Sequence, residues 1–273
     1  MENFLELAIK VSLEAGEEIL KIYTGDFSID WKLDQSPLTL ADKKSHQIIL
    51  EGLSITEIPL LSEEGKDIPY ENRSKWDYFW LVDPLDGTKE FINRNGEFTI
   101  NISLIHKSRP MLGVIYVPVK GLLYYALKNK GAYRVFVEED DSIEGLFSRA
   151  DKLPLNEADG LTAVRVVASK SHLSPETQAY VDRLRGTYKD ISFRSAGSSL
   201  KFCLVAEGEA DIYPRYSPTM EWDTAAGDVI VEEAEGKVID VESGKSLIYN
   251  KRVLKNPYFV AVGGKIKSLG GKA

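Results

Sequence analysis

The stretch Trp80-Leu81-Val82-Asp83-Pro84-Leu85-Asp86-Gly87-Thr88 constrains this chain most, because an apolar strand runs directly into two carboxylates that flank a proline. Proline fixes φ and turns the chain, so Asp83 and Asp86 can face one point with the Leu85 carbonyl beside them. Asp86-Gly87-Thr88 then opens a helix, whose free N–H groups and positive dipole end suit a phosphate. Hard cations and a phosphate are expected to meet there. On these letters alone, a strand end, a helix cap and a turn are the ordinary explanation. Two other segments weigh against it. Leu61-Ser62-Glu63-Glu64-Gly65 also places carboxylates after an apolar strand, and Glu221-Trp222-Asp223 precedes a helix start at Thr224. Taken singly, Glu63 and Glu64 read as solvated and Asp223 as an N-cap.

Composition limits what such a site can be. The chain has 34 Lys plus Arg against 42 Asp plus Glu, a net charge of −8. That balance argues against binding nucleic-acid polymers or anionic membranes, so an anionic ligand needs a local device. His46, His106, His172 and the single Cys203 cannot assemble a His- or Cys-rich zinc or iron site, which leaves oxygen ligands for any metal. One cysteine forms no internal disulfide, the start Met-Glu-Asn-Phe-Leu-Glu is acidic, and no apolar run approaches the roughly 18 residues of a membrane span. A soluble cytoplasmic protein is expected.

Apolar spacing predicts an amphipathic helix over residues 3–23 and a second from Thr39 that turns Ile48, Ile49 and Leu53 inward, with a polar loop, 31–37, between them. Short buried strands follow at 58–61 and 78–82. Residues 98–105, 112–117 and 122–125 predict an antiparallel sheet. The acidic stretch 138–160 reads as irregular and marks a boundary between halves, 1–155 and 156–273. Beyond it, strands at 163–168, 211–213 and 237–240 alternate with helices at 176–184, 200–206 and 224–235. The fold class is therefore α/β, an α+β N-terminal half with an α/β C-terminal half, in stacked layers.

Asp83-Pro84-Leu85-Asp86-Gly87-Thr88, followed much later by Trp222-Asp223-Thr224-Ala225-Ala226-Gly227, resembles the paired motifs of the inositol monophosphatase superfamily of lithium-sensitive, magnesium-dependent phosphatases. Within it, Trp80 through Ile102, with Lys89-Glu90-Phe91 and Asn95-Gly96-Glu97-Phe98-Thr99, resembles the 3'(2'),5'-bisphosphate nucleotidase branch. So does Gly197-Ser198-Ser199-Leu200-Lys201-Phe202-Cys203 running on to Gly208. The likeness covers nearly the whole chain.

The resemblance implies a layered αβαβα sandwich and two or three Mg2+ ions held by Glu63, Asp83, the Leu85 carbonyl, Asp86 and Asp223. Where many relatives read Gly-Glu-Glu-Ser, this chain has Ser62-Glu63-Glu64-Gly65, and Glu63 is assigned as the ligand. Asp42 and Thr88 would orient the attacking water, and the Gly87 and Thr88 N–H groups would contact the phosphate to be removed. From the residues alone, Asp42 forms a capping box with Thr39. Ser198, Lys201, Arg215 and His172 would hold the nucleotide and its second phosphate; outside that context Lys201 and Arg215 read as solvated surface charge and His172 as an ordinary loop histidine. Cys203 reads as a small buried hydrophobe.

The implied reaction is 3'-phosphoadenosine 5'-phosphate plus water giving AMP and phosphate by in-line attack, without a phosphoenzyme, in the setting of sulfur assimilation. Two divalent ions would activate the water and neutralise the leaving oxygen. The rival substrates are inositol 1-phosphate and fructose 1,6-bisphosphate, against which Gly197 to Phe202 favours the nucleotide. A non-catalytic metal and nucleotide sensor would not need both Asp42 and Thr88. Covalent catalysis lacks a Ser/His or Cys/His neighbourhood, and a two-carboxylate glycosidase has no use for the Gly87-Thr88 cradle. The expected partner is a small nucleotide bisphosphate. The enzyme itself is expected to be a monomer or homodimer that at most touches the inner face of the cell membrane weakly.

Overall fold

The computed structural model describes residues 1–25, 29–31, 37–155, 163–168 and 174–266. Helix α1, Glu2–Thr24, buries Leu5, Ala8, Ile9, Val11, Ala15 and Ile19 along one stripe and ends at Gly25. Strands β1, Ile29–Trp31, and β2, Pro37–Thr39, pair antiparallel. The polar loop expected at 31–37 thus ends in a strand, while 32–36 lie outside the described residues. Helix α2, Leu40–Ser54, starts where the Thr39 hydroxyl accepts the Ala41 N–H at 3.2 Å.

A seven-stranded sheet follows in chain order. It comprises β3 (Leu60–Ser62), β4 (Tyr78–Asp86), β5 (Thr99–His106), β6 (Arg109–Val117), β7 (Leu122–Leu127), β8 (Gly131–Phe136) and β9 (Asp151–Lys152). Only β3 and β4 pair parallel; the other neighbours run antiparallel. Short helices α3 (Tyr70–Arg73), α4 (Thr88–Ile92) and α5 (Ile143–Arg149) lie in its connections. The stretch expected to be irregular is therefore partly ordered: Ser142 caps α5, and β9 adds an edge strand.

The second sheet has the order β11-β10-β12-β14-β13. Its strands are β10 (Ala163–Ala168), β11 (Asp190–Ser195), β12 (Ile212–Arg215), β13 (Lys237–Asp240) and β14 (Phe259–Val262). Helices α6 (Pro175–Leu184), α7 (Leu200–Glu207) and α8 (Glu221–Glu233) accompany it. Strands β11 and β14 escape the sequence reading, and α8 begins three residues before the expected Thr224.

Strand alternation explains the layering. Trp80 and Val82 face α1 and α2, whereas Phe79 and Leu81 face the opposite way, into a core shared with α7, α8 and the inner face of the second sheet. The outer face of that sheet, through Val164, Val166 and Ile212, packs on Tyr180, Val181 and Leu184 of α6. The result is the αβαβα sandwich. Helix α8 lies so close in the middle layer that a Cβ on Gly113 would stand 2.6 Å from the Ala226 carbonyl, and one on Gly227 2.4 Å from the Phe202 ring. The small residues Ala225-Ala226-Gly227 make that approach possible.

Candidate active site

Pro84 shapes the end of β4. It has no N–H to give the ladder, and between Asp83 (paired with Asn101) and Asp86 (paired with Thr99) the register shifts, which swings Pro84-Leu85 out as a bulge. The Leu85 N–H donates back to Asp83 Oδ1 at 3.0 Å, and Ser45 of α2 donates to the Pro84 carbonyl at 2.7 Å. Beside it, the Glu63 N–H, just past β3, donates to the Val82 carbonyl at 3.2 Å. Asp223 arrives from the first turn of α8, where its carboxylate accepts the Met220 N–H at 2.9 Å. It is the third residue of the helix, not its cap.

These elements bring Glu63, Asp83 and Asp223 together: each offers a carboxylate oxygen, and the three lie within 4.8 Å of one another. Burial pushes the Asp83 carboxyl well above the ordinary carboxylate range, and the charges of Glu63, Asp86 and Asp223 push it further. Asp223 moves the same way, through burial first and Asp86 second. Mutual repulsion among all-oxygen donors fits a divalent hard cation, which would relieve it.

Thr88 opens α4 behind Gly87, whose φ of 92° is the left-handed conformation that favours glycine. The Thr88 hydroxyl donates to Asp42 Oδ1 at 3.2 Å. Asp42 Oδ2 accepts the Thr39 N–H at 2.7 Å and the Thr39 hydroxyl at 2.6 Å. Asp42 thus closes the capping box of α2 and also meets Thr88.

A cavity of about 350 Å³ opens beside Asp86 and Asp223, lined among others by Gly87, Ser198, Lys201 and Arg215. Lys201 is only 5% exposed, which corrects the solvated-surface alternative. Its ammonium donates to the Ser198 carbonyl at 2.9 Å, and burial lowers its pKa to about 8 against the opposing pull of Asp86. Arg215 Nε is buried without a partner among the described residues. The Ser198 hydroxyl donates to the Glu97 carbonyl at 2.7 Å, and the Gly197 N–H donates to Glu97 Oε2 at 2.9 Å. His172 lies outside the described residues. Cys203 is fully buried, as expected.

Sequence reasoning missed Ser199 and Asn101, which bind Asp86 from the N-cap of α7 and from β5. The signal for Asn101 was available: it is an amide within the apolar run Ile100-Asn101-Ile102. Ser199 directly follows Ser198 in the sequence.

The inositol monophosphatase family model matches residues 1–268. The chain is 45% identical over 252 residues to the 3'(2'),5'-bisphosphate nucleotidase CysQ of Salmonella typhimurium, covering 91% of this chain and 94% of that protein. It is 43% identical over 253 residues to that of Escherichia coli K12, with the same coverage. The crystal structure of CysQ from Bacteroides thetaiotaomicron is similar with a TM-score of 0.87 and 46% identity, over 96% of this chain and 98% of that one. The suhB protein of Bartonella henselae shares the fold, with a TM-score of 0.74 at 24% identity over 97% of this chain and 95% of that one. With motifs and layers in agreement and the family model spanning nearly the whole chain, the chain belongs to the inositol monophosphatase family.

Proposed function

We propose that this chain is a 3'(2'),5'-bisphosphate nucleotidase that converts 3'-phosphoadenosine 5'-phosphate and water to AMP and phosphate. The observation that carries the reading is the cavity beside the carboxylate cluster, in which Lys201 and Arg215 supply positive charge to an acidic protein. A substrate with one phosphate at the cluster and another at these cations fits it. The name shared by the CysQ relatives supports the same activity.

Glu63, Asp83, the Leu85 carbonyl, Asp86 and Asp223 would hold two or three Mg2+ ions. Bound there, divalent ions make water a stronger nucleophile and offset charge on the leaving oxygen. The Thr88 hydroxyl, held by Asp42, orients the attacking water, and Asp42 stands ready to accept its proton. The water oxygen bonds to phosphorus as the P–O3' bond breaks, one water proton passes to Asp42, and the departing 3'-oxygen takes up a proton from solvent. The Gly87 and Thr88 N–H groups steady the phosphate. Ser198, Lys201 and Arg215 fix the rest of the nucleotide, and His172 joins them on the resemblance alone. The reading includes inhibition by lithium, service in sulfur assimilation and a cytoplasmic monomer or homodimer. It also includes a division at 155/156, with most ligands in the first half.

Phosphate release from the nucleotide bisphosphate, inositol 1-phosphate and fructose 1,6-bisphosphate, each with Mg2+, tests the assignment. A kcat/KM at least tenfold higher for the nucleotide is expected; equal or greater turnover of either polyol phosphate would overturn it.

A further inference from the structure

Resting on the ligand set proposed above, we propose that Ser199 is a positioning residue: its buried hydroxyl fixes the Asp86 carboxylate in the orientation that binds a divalent cation. Ser199 is 2% exposed and makes polar contacts to three different elements. Its Oγ lies 2.6 Å from Asp86 Oδ2 at the end of β4 and 3.0 Å from the Asp223 carbonyl in α8, and it accepts the Asn101 Nδ2 amide of β5 at 2.8 Å. A hydroxyl has one proton, and the shorter, charge-assisted contact takes it, so Ser199 donates to Asp86.

Asn101, 1% exposed, extends the device. Its amide also reaches Asp86 Oδ2, at 3.4 Å, while its own oxygen accepts the Thr99 hydroxyl at 3.0 Å, which sets the amide orientation. Two donors from separate elements thus converge on one oxygen of Asp86. They pin the carboxylate against rotation and leave Oδ1 outside this network. Buried polar groups are retained at such a junction when each satisfies the others, and here they end on a single carboxylate. Hydrogen bonds behind a metal ligand orient it, and their loss typically costs about 10- to 100-fold in metal affinity.

The test is Mn2+ titration of chelator-stripped wild type and Ser199→Ala, without nucleotide, alongside thermal melts and the Mg2+ dependence of turnover. The expected result is a Kd for Mn2+ raised about tenfold. The Mg2+ concentration for half-maximal rate should rise in parallel, while KM for the nucleotide at saturating Mg2+ stays within twofold. Asn101→Ala gives an independent loss of affinity, and because both donors act on one group, the double variant loses less than the product of the two. An Mn2+ affinity for Ser199→Ala within twofold of wild type overturns the proposal, whatever the melting temperature. So does a raised nucleotide KM with unchanged metal affinity, the mark of a substrate contact. A wild type that takes up no Mn2+ fails one step earlier, at the ligand set itself.

Discussion

Burial of Lys201 lowers its ammonium pKa to about 8, with Asp86 opposing the shift and Arg215 adding to it. A lysine that binds a phosphate must be charged, and kcat/KM reports the ionisation of the free enzyme. The kcat/KM for the nucleotide should therefore fall as pH rises through about 8. In Lys201→Arg, whose guanidinium stays charged, that fall should disappear from the pH profile; an unchanged profile would remove Lys201 from substrate binding. At this scale the sequence shows the acids well, since Asp83, Asp86 and Glu63 each follow an apolar strand that dictates where they emerge. It shows the depth of Lys201 poorly. Helix α7 is apolar almost all round, so only the sheets packed on it decide which polar side chain is enclosed. Ser199 is obscured for a related reason: its partners come from β4, β5 and α8, far apart in the chain.

Helix α8 carries both a site residue and the group expected to dominate the pH dependence of its packing. Asp228 is fully buried, with Tyr249 donating to Oδ2 at 2.8 Å and Oδ1 unpartnered among the described residues. Burial, then the charge of Glu232, pushes its carboxyl up to about 7, while Arg109 and the Tyr249 hydrogen bond pull it down. The unfolded chain releases that proton near 3.8. Between those values folding takes up a proton, so this group's contribution to stability falls as pH rises and levels off above about 7. The melting temperature of Asp228→Asn minus that of wild type should thus rise by a few degrees from pH 5 to pH 8, at roughly 2–4 °C per kcal/mol for a chain of this size. A constant difference would contradict the assignment. Apolar spacing located α8 but not its start. Glu221 belongs to the helix because the Asn250 and Lys251 N–H groups, at 2.6 and 2.9 Å, and the Lys251 ammonium, at 2.7 Å, satisfy its buried carboxylate. That compensation comes from a segment after β13, which spacing within the helix cannot reveal. Strand β14 is obscured similarly, as a four-residue apolar run that pairs with β13 across a long connection and with β12, which lies still further back in the chain.

Across the whole molecule, the stacking follows from one pattern: strands apolar on both faces demand cover on both, and two sheets then share the helical layer of α7 and α8. The carboxylates gather where β3, β4 and α8 end against one another, in a chain already carrying a net charge of −8. Without a cation, burial and the neighbouring negative charges hold the Asp83 and Asp223 carboxyls well above the ordinary carboxylate range, so metal binding there is coupled to proton release. The most direct test is therefore a calorimetric titration of Mg2+ or Mn2+ into chelator-stripped protein, run in two buffers of different ionisation enthalpy. Saturable uptake is expected, with heats that differ between buffers because protons are released, and with a much weakened isotherm in Asp83→Asn. No saturable uptake, or an isotherm that Asp83→Asn leaves unchanged, would contradict the account.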